Sequence, residues 1–349
     1  MPVKKQHYIP QLHLRRFSIN NNNEHIYVLD KTKARMWKSA IVDVAEEKYF
    51  YKLNISEIIK RGSNDEQYQA LDETCLKDLG KRLCDLSDDE INKIDFSVET
   101  YFSDFIEPRL KSLTDNIIAN TYNGNRWVIE NCNFISEKEK SEFSWLLAKE
   151  FIRTKHHRDR QINSLKELRK KQTPIIAQFY GQEIDENTID IFYSKEQERL
   201  LHANEILDDE LANSIAGVFN NHIWVLLENF TKEPFCCPDN LFALFPTEEL
   251  PAFYGYGFST YGMIILYPIS ANLTLVMLER TKFGNGQYYQ DKRIISIDDI
   301  KFINNINIAL IVSSYRYVFF SNEEAALKYK EKCEKDEKIR VPASFGRVS

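Results

Sequence analysis

The chain carries two textures of apolar spacing. Near its start, His25-Ile26-Tyr27-Val28-Leu29-Asp30 is β-branched and aromatic, Lys31-Thr32-Lys33 is a polar turn, and Arg35-Met36-Trp37-Lys38 is short and extended, a pattern that predicts a β-hairpin. The tract Asn20 to Asn23 ahead of it favours a turn, because asparagine side chains compete for backbone hydrogen bonds. Another extended segment is expected at Lys48 to Leu53. From about 65 to 232 the spacing changes to threes and fours, first at Leu71, Cys75, Leu79 and Leu83, then at Phe102, Phe105, Ile106, Leu110, Leu113 and Ile117. Ser136-Glu137-Lys138-Glu139 reads as a capping box leading into a long helix through Phe143 to Phe151, Thr173-Pro174 as a break or kink, and Ile206 to Phe230 as a further helix. Past Pro234 the β texture returns at Tyr261 to Pro268, Leu273 to Leu278 and Arg293 to Ile297. Phe283-Gly284-Asn285-Gly286 reads as a hairpin turn, Ile300 to Ser314 has helical spacing, Tyr317 to Phe320 is a final strand, and the charged residues 323–340 suggest a surface helix.

This order predicts an α+β fold. A β-rich core is formed by both chain ends, residues 1–60 and 233–322, with a large, mostly helical middle region at 61–232, inserted as a subdomain or packed on one sheet face, and a charged C-terminal tail at 323–349. No Gly-rich turn joins a strand to a helix, which excludes a dinucleotide fingerprint and a P-loop.

Composition narrows the class. Of 349 residues, 43% are hydrophobic and 28% charged, the profile of a folded globular chain. The net charge is −6, so nucleic acid has no whole-chain basic field to meet and any such contact is a local patch. Six cysteines scattered over so long a chain point to a reducing, cytoplasmic setting rather than a disulfide framework. No stretch approaches the roughly 18 apolar residues of a membrane helix, so no membrane partner is expected.

Three segments hold residues suited to chemistry. In His7-Tyr8-Ile9-Pro10-Gln11-Leu12-His13-Leu14-Arg15, the residues His7, Gln11 and Arg15 recur every four positions, which places a titratable group, an amide and a fixed cation on one face if the segment is helical after Pro10. The alternative is a clamp in which His7 and Arg15 fasten the N-terminus to the core. Between 150 and 171 the charge reverses, and one helix there would hold Arg153, His156, His157 and Arg160 on a broad stripe, either a phosphate-contacting patch or an ordinary solvated face. In Pro234-Phe235-Cys236-Cys237-Pro238-Asp239-Asn240 the adjacent thiols lack the spacing for zinc or dithiol chemistry and read as buried structure. Asp239 and Asn240 fit a general base with an orienting amide or, equally, a capped turn. Arg316, between Tyr315 and Tyr317, suits phosphate binding or surface stacking.

The HYIPQLHLRRF opening, the YVLDKTKARMWKSAIVDVAEEKYFY block, IRTKHHR, PFCCPDNLFAL before GMIILYPIS, and the stretch from Asn307 to Arg316 together resemble the uncharacterised bacterial domain-of-unknown-function family 4238. The departures fall at Cys237-Pro238, where that family's pattern has Thr-Ser, and at Leu241, where it has Pro. The resemblance implies that the N-terminal His, Gln and Arg and the late Asp-Asn form one recurrent constellation, and it is to genes found among mobile elements and defence islands. The expectation is a phosphodiester- or nucleotide-directed hydrolase, nuclease-like, acting in bacterial defence or as a toxin-like effector. His7 would be acid/base; Asp239 would be the base or a ligand for a divalent cation, Mg or Mn; Gln11 and Asn240 would be positioning amides. Arg15, Arg153, His156, Arg160 and Arg316 would bind phosphate. The alternative is a non-catalytic sensor or interaction module for an anionic ligand, a second copy of the chain or a defence-system partner protein, favoured by the scarcity of paired acids in the sequence.

Overall fold

The computed structural model describes residues 5–54, 87–123, 133–247, 257–284 and 290–342. The chain divides into two compact units, one of residues 1–6, 47–105 and 158–208, the other of 7–46, 106–157 and 209–349.

In the first unit the described elements are mostly helical: Asp88–Asp95, Ser97–Tyr101, Lys195–Leu207, and Lys155–Phe179 from Arg158 onward. Ser87 and Ser194 open two of these helices with capping boxes, each hydroxyl accepting from the third backbone N–H while the Glu90 or Gln197 side chain answers the cap's own N–H. The core is aromatic. Phe50 meets Tyr51 edge-on with ring centroids 4.7 Å apart, Tyr51 stacks on the buried His202 at 6.2 Å, and the Arg158 guanidinium lies 3.9 Å over the Phe50 ring.

The second unit holds the sheets. In chain order its strands are β1 (Lys5–His7), β2 (His25–Asp30), β3 (Arg35–Ala40), β4 (Glu46–Lys48), β5 (Ile223–Asn229), β6 (Cys237–Pro238), β7 (Ala243–Pro246), β8 (Met263–Ser270), β9 (Leu273–Leu278), β10 (Arg293–Ile297) and β11 (Tyr317–Phe320); the boundary between units passes through β1 and β4. A five-stranded sheet runs β10-β5-β9-β8-β7, parallel only at β10-β5. A four-stranded antiparallel sheet runs β3-β2-β11-β6. It joins the N-terminal hairpin to the last strand through the pairs Leu29–Val318 and Val28–Phe319, so both chain ends build one sheet and the fold is α+β.

One apolar cluster is common to both sheets. Leu29 and Val318 come from the smaller sheet and Ile223, Val225 and Val276 from the larger. Helix Ile300–Ser313 contributes Ile303, Leu310 and Ile311, and helix Glu323–Lys335 contributes Tyr329 and Cys333. The expected tail helix is therefore half core, with Ala325, Ala326, Tyr329 and Cys333 buried, and not a surface addition. Helix Glu137–Ile152 begins at the expected Ser136 capping box and packs through Phe143 against Trp224 and Tyr267, at 6.0 and 6.4 Å.

Local chemistry explains the turns. Asn20, Asn21 and Asn23 all take left-handed backbone conformations, which asparagine tolerates better than most residues, and the Asn22 carboxamide accepts the N–H groups of Glu24 and His25. Asp30 Oδ1 accepts from the Thr32 N–H, the Thr32 hydroxyl and the Lys33 N–H, closing the hairpin turn.

Several expectations are corrected. Ile206 to Phe230 is not one helix: helices Lys195–Leu207 and Asp209–Asn221 are followed by β5, whose seven residues are all buried and so carry no alternation to mark a strand. Of the expected extended segment Lys48 to Leu53, only Lys48 is strand, the last residue of β4, because Tyr49 turns the chain at φ 56°. Pro174 does not break helix Lys155–Phe179; the Thr173 hydroxyl donates to the Arg169 carbonyl at 2.8 Å, which holds the turn the proline weakens. Phe283 closes a short helix, Arg280–Phe283, while Asn285 and Gly286, like Leu71, Cys75, Leu79 and Leu83, lie outside the described residues.

Asn307 shows how a polar side chain holds this core. Fully buried on helix Ile300–Ser313, it accepts the Cys236 N–H at 3.0 Å and donates to the Pro234 carbonyl at 2.8 Å, fastening the 234–237 segment to the helix. Asn307→Ala leaves a buried donor and a buried acceptor unmet and is expected to cost about 2–4 kcal/mol in urea unfolding.

Candidate functional site

Pro10 sits at the N-cap of helix Gln11–Leu14, and one 3-10 turn, Arg15–Phe17, continues it. This short helical run brings His7, Gln11 and Arg15 together as their spacing predicts. His7 Nδ1 lies 3.0 Å from the Val44 carbonyl, Gln11 Nε2 lies 2.9 Å from His7 Nε2, and Arg15 Nη2 donates to Gln11 Oε1 at 3.3 Å. A carbonyl only accepts, so Nδ1 carries the proton and Nε2 offers its lone pair to the Gln11 amide. Burial lowers the His7 pKa, against the Val44 bond and the nearby Glu46 and Glu107, and His7 is neutral at pH 7. His7 and Gln11 are half-buried and Arg15 is exposed, so the chain of three runs from the protein outward to solvent.

Arg153 lies behind this motif. The expected stripe is corrected here: the helix ends at Ile152 and a new one starts at Lys155, so Arg153 is a C-cap residue and does not share a face with His156 and Arg160. Its side chain is 2% exposed. Nη1 pairs with Glu107 at 3.0 Å and with Glu150 at 3.1 Å, while Nη2 donates to the His7 carbonyl at 2.9 Å. Held by two carboxyl groups, Arg153 fastens the His7 backbone from behind. His156 is buried with its ring 5.8 Å from Tyr315. Arg160 is exposed and belongs to the other compact unit.

The late motif also turns inward. Asp239 Oδ1 accepts the Tyr315 N–H at 2.7 Å, and Oδ2 accepts those of Arg316 and Tyr317 at 2.8 Å each. Burial raises the Asp239 pKa; these three amides and the Lys31 charge oppose it. Among the described residues Asp239 makes no bond to His7. Asn240 Nδ2 donates to the Ser313 carbonyl at 2.6 Å, and Arg316 grips Asp30 Oδ2 through Nε at 3.0 Å and Nη2 at 2.7 Å while lying over the Tyr317 ring. Asp239 thus makes the bonds of a capped turn, Asn240 those of a donor at a helix C-terminus, and Arg316 those of one half of an ion pair. Cys236 and Cys237 are buried free thiols whose pKa values burial pushes up, matching the structural reading.

Three contributors escape a reading of the sequence. Lys31, which the sequence presents as a turn residue, is buried and donates to the Ile311 and Val312 carbonyls at 2.9 Å each, at the end of helix Ile300–Ser313; burial lowers its pKa to about 8. His13 is buried against the Tyr267 hydroxyl at 3.3 Å, with a pKa driven to about 3 by burial. Glu150 is fully buried beneath Arg153, and its one visible signal was an acid inside the apolar run LLAKEFI. Among the described residues no group of three or more His, Cys, Asp or Glu could hold a metal ion, and no helix is long and apolar enough to cross a membrane.

An α+β protein with an N-terminal His-Gln-Arg relay braced by a buried arginine is thus defined. Residues 5–324 match the family model described as "Protein of unknown function (DUF4238)", and the chain belongs to that family. No curated protein and no solved structure matches the chain.

Burial pushes the Glu150 carboxyl up to about 7 from 4.5, with Arg153 pulling the other way. A raised carboxyl favours the folded state in acid and loses that contribution as pH climbs through the folded value. The stability difference between wild type and Glu150→Gln is therefore expected to fall by up to about 1.4 kcal/mol per pH unit between pH 4.5 and 7, and to be flat on either side, in urea unfolding at stepped pH.

Proposed function

We propose that the chain binds a phosphate-bearing ligand, a nucleotide or nucleic acid, at the His7–Gln11–Arg15 relay and hydrolyses its phosphoester bond, with His7 as the general base. The observation that carries this reading is the tautomer: with Nδ1 on the Val44 carbonyl, His7 presents a neutral Nε2 lone pair to the Gln11 side-chain amide 2.9 Å away, at the half-buried inner end of the motif. Arg15, one position further out and exposed, supplies the fixed cation for a phosphate oxygen. Gln11 orients the ligand between them. Arg153 acts through the His7 backbone as a positioning residue. The resemblance to genes of mobile elements and defence islands makes invading nucleic acid the first substrate to assay, with a defence effector as the biological setting.

A second reading, an anion-binding module without turnover, is supported by one observation: Asp239, Asn240, Arg316 and Arg153 are all committed to internal bonds and leave the relay without their help.

Purified chain incubated with RNA, DNA and nucleoside triphosphates, with and without Mg²⁺ or Mn²⁺, separates the two. Hydrolysis is expected, with His7→Gln lowering kcat about 10²–10⁴-fold and Arg15→Ala acting mainly through KM. Arg15→Ala should melt within about 2 °C of wild type because Arg15 is exposed, whereas His7→Gln takes the ring off the Val44 carbonyl and is expected to cost about 1 kcal/mol, so its kcat is referred to the folded fraction. Ligand retained without product in every condition would replace this reading with the module.

A further inference from the structure

Glu150 stands behind the His7 relay, on the last turn of helix Glu137–Ile152, and is fully buried. Its Oε1 lies 3.1 Å from Arg153 Nη1, and Oε1 of Glu107, on helix Glu107–Asn123, lies 3.0 Å from the same nitrogen. The other terminal nitrogen of Arg153, Nη2, holds the His7 carbonyl at 2.9 Å. Two carboxyl groups thus share one end of the guanidinium whose other end fixes the first residue of the relay. Their surroundings differ. The Glu107 side chain is 29% exposed, so water shares its charge, whereas Glu150 has only protein around it. Among the described residues Glu150 Oε2 meets no hydrogen-bond donor, although buried polar atoms are ordinarily paired. Tyr267 of β8 faces Glu150 too; burial above all, with Glu150 and Cys237 against Arg16, keeps that phenol protonated.

Two carboxylates around one guanidinium leave an excess negative charge, and the orphan Oε2 is the oxygen on which a proton removes it. On the reading of His7 as the relay's base, on which this rests, we propose that Glu150 is a positioning residue with a switching proton: ionised, it fixes Arg153 on the His7 carbonyl and leaves negative charge behind the ring; protonated at Oε2, it gives up both. A base gains positive charge as it takes a proton, so negative charge behind it favours the step and its loss opposes it. Position and charge therefore act in the same direction, toward more activity as Glu150 ionises. Burial lifts the Glu150 carboxyl to about 7 and lowers His7 below its usual 6.5, with Glu46 and Glu107 pulling the ring upward and Arg153 downward. As pH falls, Glu150 accepts its proton before His7 does, and the acid limb of hydrolysis belongs to Glu150.

Nuclear magnetic resonance of the His7 ring nitrogens in the full chain, assigned against His7→Gln and followed from about pH 5 to 9, tests it alongside hydrolysis. The wild-type ring is expected to shift in two steps, a small one near pH 7 as Glu150 ionises and a large one lower as the ring itself protonates. Glu150→Gln, which fixes the neutral form, should keep only the lower step. Glu107→Gln should keep both, with the upper one moved to lower pH because a like charge beside Glu150 is gone. In hydrolysis, wild type should lose about 3-fold between about pH 8 and 6.5, following the ionised fraction of a group near 7, while Glu150→Gln should be about 10-fold slow at pH 8 and flat over that interval. A single-step wild-type titration that Glu150→Gln leaves where it was, or a Glu150→Gln variant with the wild-type pH profile, would overturn the proposal and leave Glu150 a purely structural residue. Should Glu150→Gln fail to fold, an upper step unmoved by Glu107→Gln overturns it as well. A two-step His7 titration in a chain that hydrolyses nothing upholds the hold of Glu150 on His7 and overturns the general-base reading, so the two fail separately.

Discussion

One buried carboxylate organises the C-terminal half of the second unit. Asp239 accepts three consecutive backbone amides, those of Tyr315, Arg316 and Tyr317, and so closes the passage from helix Ile300–Ser313 into β11. Removing a carboxylate from water costs several kcal/mol, and three short charge-assisted bonds with a nearby ammonium offset it. The ammonium is Lys31, whose own desolvation is met by the carbonyls that end that helix. With the 315–317 turn fixed, Arg316 reaches Asp30, the residue that also closes the β2–β3 hairpin, and β11 pairs with β2. The junction of the two chain ends thus rests on a small set of polar groups set into an otherwise apolar core.

The same device recurs at the N-terminus. Arg153, between Glu107 and Glu150, is fixed by two carboxylates and uses its remaining donor on the His7 carbonyl. Polar residues therefore fall into two sets. Asp239, Asn240, Arg153, Lys31 and Asn307 join segments far apart in sequence; His7, Gln11 and Arg15 form a relay that runs from a half-buried ring on the Val44 carbonyl outward to an exposed guanidinium.

The sequence makes visible what depends on neighbours in the chain. The β2–β3 hairpin, the Ser136 capping box, helix Ile300–Ser313 and β11 are each signalled by local spacing and turn residues. The His7–Gln11–Arg15 relay is legible for the same reason, since its members lie four residues apart and bond at that interval. β5 is not, because a strand buried on both faces loses the alternation that marks one. Nor is the role of Asp239: its position in a turn after Pro238 is plain, but its donors lie 76 to 78 residues away and only the fold brings them. Lys31 looks like a solvated turn lysine, and its acceptors are 280 residues distant. Side chains whose partners are long-range carry no signal in a single sequence.

Equilibrium urea unfolding of Asp239→Ala, with the hydrolysis proposed for the His7 relay assayed on the remaining folded protein, tests the organising role most directly. Loss of the carboxylate leaves three buried amides unmet, and a stability loss of about 3–5 kcal/mol is expected, with the folded fraction keeping the wild-type level of the activity proposed for the His7 relay. Unfolding within about 0.5 kcal/mol of wild type, accompanied by loss of activity, would make Asp239 a reacting group and contradict its place as the cap on which the junction depends.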